Sequence, residues 1–549
     1  MEPQPAAKHR PYELIAILAA SAFAFFFGLG VLGFLGPDEP RYAEVAREMF
    51  ASGDFVSTRL CGCLWFEKPV LLYWMSTAGY SLFGVNEFAA RLPSAVVALL
   101  TVGILFFALQ RLGLRSIALA ASLVLATSGI FIAYARVATP DMILTGTVTA
   151  ALLSGLLSTT TSGRARSIYW AALFFFMGLA VLAKGLVGLV LVLTILGIHL
   201  SLIGRLSSMR LRDWLIGFIV FLVVAGTWYV PVTMRHGWAF IEEFFIRHHF
   251  ERYTSNEFGH PQPVYFFPLV ALAGSAPWTF FLVPAAARLR SLKPRSGDRD
   301  SLRTLAWIWV AVPLLFFSLS ESKLPGYVLP VFPALAVIIG IEIDRFRRGE
   351  SDLLLKAAAW MTVVTLLIAG VGFLYYLRLE EVRVNAWQTV LAALPLMIAL
   401  ISSVALGARK CLAFVTSAVA LVVSLILATV ILLFPTLQDE VSLKTLSLEA
   451  AAALRPGEKI GFYLKKEFAP VFYAEGRVLC EPRRGTTFYA LHQGMLAQAL
   501  EVEPSLIVIT DSHWVEGIKN DPQFVTELIA AHRDSLALRV ALKKKVQTQ

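Results

Sequence analysis

The chain has 549 residues, of which 57% are hydrophobic and only 16% charged, with a mean hydropathy of +0.69. Soluble domains average roughly 45–50% apolar and about 25% charged, and a single water-soluble core stops growing near roughly 250–300 residues. Disorder is excluded by the apolar content, and the net charge of +10 is too scattered for a nucleic-acid surface.

A polytopic α-helical membrane protein follows. A spanning helix needs about 20 mostly apolar residues, and thirteen such stretches run from Leu14–Leu35 to Cys411–Phe434. Among them are Ser116–Tyr134, Val264–Ala287 and the short pair Ile168–Leu182 and Leu186–Ile203, split at Ala183-Lys184-Gly185. The first stretch has no small-residue cleavage site and reads as an uncleaved span. With the N-terminus (Lys8, Arg10) placed inside, every inside loop is short and basic: Arg111/Arg115, Arg164/Arg166, Arg205/Arg210/Arg212, Arg288 to Arg299, Arg345/Arg347/Arg348 and Arg409/Lys410. Cytoplasmic loops carry such an excess of Lys and Arg. Much of the positive charge is therefore a topology signal, and the C-terminus is expected outside.

The expected domains are a transmembrane domain over residues 1–434 and a soluble α/β domain over 435–549. Residues 36–88 and 235–263 form the two large outside loops. In the first, Glu39–Ala51 and Val70–Phe83 read as amphipathic helices lying in the membrane interface. In the tail, Lys459–Leu464, Ser505–Thr510 and Leu536–Val540 read as strands. Ala490–Glu501 and Phe524–His532 read as helices, the alternation of a small α/β sandwich.

The chemistry-bearing residues gather at the outer ends of the spans. Asp38 reads either as the N-cap of its helix or as a rigid carboxylate presented at the membrane surface. Asp141, behind Thr139-Pro140, has the same two readings, and charges at membrane depth usually mark a site. Glu67-Lys68 is a surface ion pair or a binding pair. Lys184 snorkels or binds phosphate. Ser320 to Tyr327 compresses Glu321, Lys323 and Tyr327 into one turn. His248-His249 are metal ligands or amphipathic surface residues. Cys61, Cys63, Cys411 and Cys480 form no metal spacing, and Cys61-Gly62-Cys63 leaves a strained small disulfide or two thiols open.

The blocks DEPRYAEVAREM, WFEKPVLLYW, FGVNEFAARLPSA, YARVATPDMIL, AKGLVGL and SESKLPGYVLPVFPALA follow one another over roughly residues 38 to 340. Together they resemble the GT-C class of membrane glycosyltransferases, most of all the bacterial lipid A aminoarabinose transferases, relatives of the protein O-mannosyltransferases. The resemblance implies Asp38 as the catalytic carboxylate with Asp141 supporting it. It places Arg41, Tyr42, Glu67 and Lys68 around the cavity mouth, and Lys184, Lys323 and Tyr327 on the donor phosphate. It implies an undecaprenyl-phosphate-linked 4-amino-4-deoxy-L-arabinose donor, a lipid A phosphate acceptor and an inverting transfer that confers resistance to polymyxin and other cationic peptides. The expected setting is the bacterial inner membrane, with the enzyme a monomer among membrane lipids and no nucleic acid. No cofactor is demanded; a divalent metal such as zinc would be sought at Glu67 with His248. Another sugar or a protein hydroxyl acceptor is the nearer alternative. A flippase is the farther one, and it predicts symmetric repeats and mid-span charges rather than charges at one face.

Overall fold

The structure is a computed structural model that describes residues 11–205, 211–251, 262–293, 297–350, 352–481 and 486–543. It divides into two compact units. One comprises Met1–Phe27, Ser94–Arg136 and Pro140–Leu432; the other comprises Gly28–Pro93, Val137–Thr139 and Leu433–Gln549. One break between the units falls between Leu432 and Leu433. The tail, however, shares its unit with the first large loop rather than standing alone.

The first unit is a helical bundle. Among the described residues, nine helices are long and apolar enough to cross a membrane, and eleven crossings result when each of two bent pairs counts as one. Glu13–Phe26 and Leu186–Leu202 are apolar but shorter, so length alone does not reach the expected thirteen. Arg115–Thr127 and Gly129–Ala135 meet at 64°, where the Ser128 backbone is extended. Phe266–Gly274 and Thr279–Ala287 meet at 114°, around Pro277, which has no N–H to continue a helix. The two halves of the second pair nevertheless neighbour opposite ends of Pro325–Arg347. Phe267 lies 6.4 Å from the Tyr327 ring, whereas Arg288, just past the pair, is bonded to Glu342.

Two of the basic loops meet at the Glu342 end of Pro325–Arg347. Arg299 lies 3.8 Å from Asp344, Arg348 3.0 Å from it, and Arg345 3.7 Å from Glu342. The core helix Pro140–Thr160 is buried along nearly its whole length and packs against Gly163–Lys184 and Leu186–Leu202. By contrast, Leu215, Ile219, Val223, Ile368, Val371, Ile401 and Val404 are exposed. Apolar surface of this extent is unusual on a soluble monomer and is what lipid contact requires.

The second unit holds both expected surface helices, at Asp38–Ser52 and Leu71–Phe83. A Cβ on Gly79 would stand 2.6 Å from the Ala89 carbonyl oxygen, so only glycine lets Leu71–Phe83 approach the next helix that closely. The tail forms a five-stranded sheet in the order Tyr489–Ala490, Lys459–Tyr463, Leu506–Asp511, Ser535–Leu542, Phe524–His532. The first three strands are parallel and the last two antiparallel. Leu496, Leu500, Val508, Ile518 and Leu538 fill its core.

Phe524–His532 is a strand and not the expected helix. Its apolar spacing suits either state, and pairing decides: His532 opposes Ser535 across a two-residue turn, and the ladder continues to Phe524 opposite Leu542. The cysteines also depart from both readings left open for the Cys61-Gly62-Cys63 run. Cys61 is disulfide-bonded to Cys480, 419 residues away, with the Cα atoms 6.1 Å apart, while Cys63 and Cys411 form no disulfide.

Candidate functional site

Two clusters, one in each unit, carry the residues singled out from the sequence. In the second unit, Asp38 is the first residue of its helix, the capping position falls to Pro37, and no side chain caps the helix. The N-cap reading of Asp38 therefore fails. Its carboxylate accepts from the Arg41 guanidinium one turn on, and it is 39% exposed. Arg41 also lies 3.6 Å from Glu67, and Lys68 lies 3.2 Å from the other Glu67 oxygen. The short ribbon Arg59–Leu60 paired with Cys63–Leu64 delivers Glu67 and Lys68 to this point.

Aromatic rings surround the guanidinium. Its carbon lies 5.2 Å from the ring centre of Phe468, 5.7 Å from Trp65 and 5.9 Å from Tyr42. Tyr73 stands 6.4 Å from Tyr42. Burial works against the Arg41 charge, but Glu67, Tyr42 and Asp38 outweigh it and hold the guanidinium more firmly protonated than usual. Burial, with Asp38 and Glu67 beside it, pushes Tyr42 well above the ordinary phenol range. Burial and Glu67 push Tyr73 up likewise. Both phenols remain donors at neutral pH. Three buried donors in this group, Arg41 Nε, Trp65 Nε1 and Tyr73 Oη, have no acceptor among the described residues. Buried donors left so cost about 1–3 kcal/mol each, which suits a site that receives an oxygen-rich ligand.

In the first unit, Asp141 begins the core helix and pairs with Lys184, the last residue of Gly163–Lys184. Lys184 Nζ also sits 4.5 Å from the Tyr327 ring centre. Gly326 makes the arrangement possible: a Cβ there would stand 2.7 Å from the Tyr134 ring and 2.8 Å from the Asp141 carboxyl carbon. Lys323 is buried but turns back on its own loop, donating to the Ser320 carbonyl. It shares the turn without joining the Asp141–Lys184 pair.

Of the Glu67–His248 metal pair, the His248 side chain lies outside the described residues. Glu67 is flanked by two cations, and no group of three His, Cys, Asp or Glu residues able to hold a metal occurs among the described residues.

Residues 67–229 match the family of dolichyl-phosphate-mannose-protein mannosyltransferases. The undecaprenyl phosphate-alpha-4-amino-4-deoxy-L-arabinose arabinosyl transferase of Erwinia tasmaniensis is 29% identical over 373 residues, 67% of this chain and 66% of that protein. Its counterpart from Pseudomonas paraeruginosa is 31% identical over 66% of this chain and 65% of its own length. The match thus spans just under two thirds of these relatives. Over 97% of this chain and 98% of the other, the fold is similar to the crystal structure of ArnT from Cupriavidus metallidurans bound to undecaprenyl phosphate, with a TM-score of 0.78 at 24% identity.

At 24% identity this likeness shows a shared fold. Sequence reading singled out Asp38, Arg41, Tyr42, Glu67 and Lys68, but it set Asp141 beside Asp38 and Lys323 beside Lys184 and Tyr327, whereas Asp141 pairs with Lys184 and Lys323 turns back on its own loop. It missed Trp65 and Tyr73, although both sit inside the quoted block WFEKPVLLYW, where a Trp and a Tyr flanking Glu67-Lys68 were the available signal. Phe468, some 400 residues downstream of Glu67-Lys68, carried no local signal at all.

Proposed function

We propose that this chain is an inverting glycosyltransferase that moves 4-amino-4-deoxy-L-arabinose from undecaprenyl phosphate to a phosphate of lipid A, on the periplasmic face of the bacterial inner membrane. The observation that carries the reading is the Asp38–Arg41–Glu67 group, a half-exposed carboxylate beside buried donors that lack an acceptor among the described residues. The names of the aligned relatives supply the sugar and its carrier. The Cys61–Cys480 disulfide supports an oxidising compartment for this unit. The two basic loops that meet around Glu342 and Asp344 support a cytoplasmic position for them.

In the proposed step, an acceptor phosphate oxygen forms a bond to the anomeric carbon. The bond from that carbon to the donor phosphate oxygen breaks, and undecaprenyl phosphate leaves with the electron pair. The acceptor is already anionic, so no proton need be removed from it. Asp38, engaged by Arg41, is assigned to orient the sugar and to stabilise positive charge developing on its ring. Arg41 and Lys68 are assigned to the substrate's oxygens, and Lys184 with Tyr327 to the donor phosphate, whose growing charge a cation stabilises. Lys323 is kept as an auxiliary phosphate contact. With these cations supplied by the chain, the reaction is proposed to need no metal or other cofactor.

The test is transfer by the purified protein from undecaprenyl-phosphate aminoarabinose to lipid A, followed by mass spectrometry. Product formed by wild type and lost in a folded Asp38→Asn variant is the expected result. Wild-type rates in Asp38→Asn would remove Asp38 from the mechanism, and transfer to a hydroxyl instead of a phosphate would overturn the acceptor.

A further inference from the structure

The C-terminal tail reaches into the Arg41 group. Phe468 is the nearest of the three rings around that guanidinium, at 5.2 Å, and only 4% exposed. It precedes the short helix Ala469–Tyr473, which is anchored against the loop that leads to Asp38. Phe472 packs edge-on to Phe34 at 4.8 Å. The Tyr473 hydroxyl donates to Glu87 at 2.9 Å and accepts from the Phe34 N–H at 3.1 Å. Lys444 pairs with Glu87 at 2.7 Å, and the Cys61–Cys480 disulfide fastens the tail to the ribbon that delivers Glu67 and Lys68. Together these ties hold one aromatic ring over one cation.

Arg41 needs such support. It has a bond to Asp38 and a longer pair with Glu67, while its Nε has no acceptor among the described residues. Hydrogen bonds alone leave the guanidinium plane under-determined; a ring face attracts it and fixes that plane.

We propose that the C-terminal domain completes the catalytic group, with Phe468 as a positioning residue that holds the Arg41 guanidinium toward Asp38 and Glu67 for the incoming donor. This rests on the glycosyl-transfer reading above. Phe468 touches no reacting atom and acts through Arg41, so its loss lowers turnover only where Arg41 is present.

The experiment uses the full-length purified protein with Phe468→Leu, Phe468→Met and Phe468→Trp, each alone and combined with Arg41→Ala. Donor kcat and KM, undecaprenyl phosphate binding and the unfolding temperature are read for each. The expected result is a loss of about tenfold in kcat/KM for Leu and Met, near-wild-type activity for Trp, and an unchanged unfolding temperature. In the Arg41→Ala background the Phe468 effect should vanish, the non-additivity of two groups in one interaction. Losses in Leu and Met that merely track a lower unfolding temperature, or that persist in full without Arg41, would overturn the proposal. If wild type transfers no sugar, the function reading fails instead, and phosphate-lipid binding then decides alone: binding undiminished in Phe468→Leu and Phe468→Met would overturn the role of Phe468.

Discussion

Arg91 grips Glu39 with two nitrogens, at 2.7 and 2.9 Å, and both side chains are almost wholly buried. The same guanidinium donates to the carbonyls of Leu29, Leu32 and Gly33, and Glu39 also accepts from the N–H groups of Leu35 and Ala138. The pair thus ties down the irregular backbone that ends at Asp38. Breaking a buried pair strands the remaining charge and costs about 3–5 kcal/mol. Arg91→Leu should therefore lower the unfolding temperature sharply. Arg91→Lys, which lacks the planar fork, should recover only part of the loss, and an unaltered unfolding temperature in Arg91→Leu would contradict this role.

Asp141 and Lys184 are also mutually dependent, being paired and mostly buried. Lys184→Ala should weaken undecaprenyl phosphate binding, and Lys184→Arg should retain part of it because charge matters more than shape there. The stability losses of Lys184→Met and Asp141→Asn should fall short of adding, since the double variant leaves no uncompensated charge. Strictly additive losses, measured by unfolding, would show that the two do not act as a pair.

Much of this was open to sequence reading, and the failures have physical causes. Spans were legible because twenty apolar residues in a row have few other uses. The groups around Asp38 and Asp141 were legible because polar residues at span ends stand out against that background. Phe524–His532 was misread because its apolar spacing fits two periods, and only the partner strand Ser535–Leu542 chooses. Asp38 looked like a cap because caps and surface carboxylates share residue types; Arg41, one turn along, claims it instead. Cys480 and Phe468 meet residues about 400 positions away, and no local pattern encodes such a meeting.

The disulfide makes its own prediction. Peptide mapping without reductant should recover Cys61 linked to Cys480, with Cys63 outside the linkage. Reduction should lower stability by about 2–4 kcal/mol, and Cys61→Ser and Cys480→Ser should reproduce that loss equally. A Cys61–Cys63 linked peptide would contradict the fold of the loop.

Acid should act on the tail through Glu458, which is buried. Burial opposes its charge, but the Arg455 N–H, the Ser505 hydroxyl and the Arg539 guanidinium together outweigh burial and hold it below the usual carboxylate range. A carboxyl depressed in the folded state contributes stability above its unfolded pKa and loses it as pH falls through the folded one. Unfolding of the wild type should therefore become easier as pH drops below about 4.5. Glu458→Gln should flatten that slope; an identical acid profile in the variant would remove Glu458 as the cause.

The most direct measurement for the function as a whole is mass spectrometry of lipid A from cells with and without this protein, and with its Asp38→Asn variant. The account predicts that wild type adds aminoarabinose to lipid A phosphates, and that the deletion and Asp38→Asn cells lack it while the variant protein is present in the membrane. Lipid A that is the same in all three strains, under conditions where the protein is made and the donor is present, would contradict it.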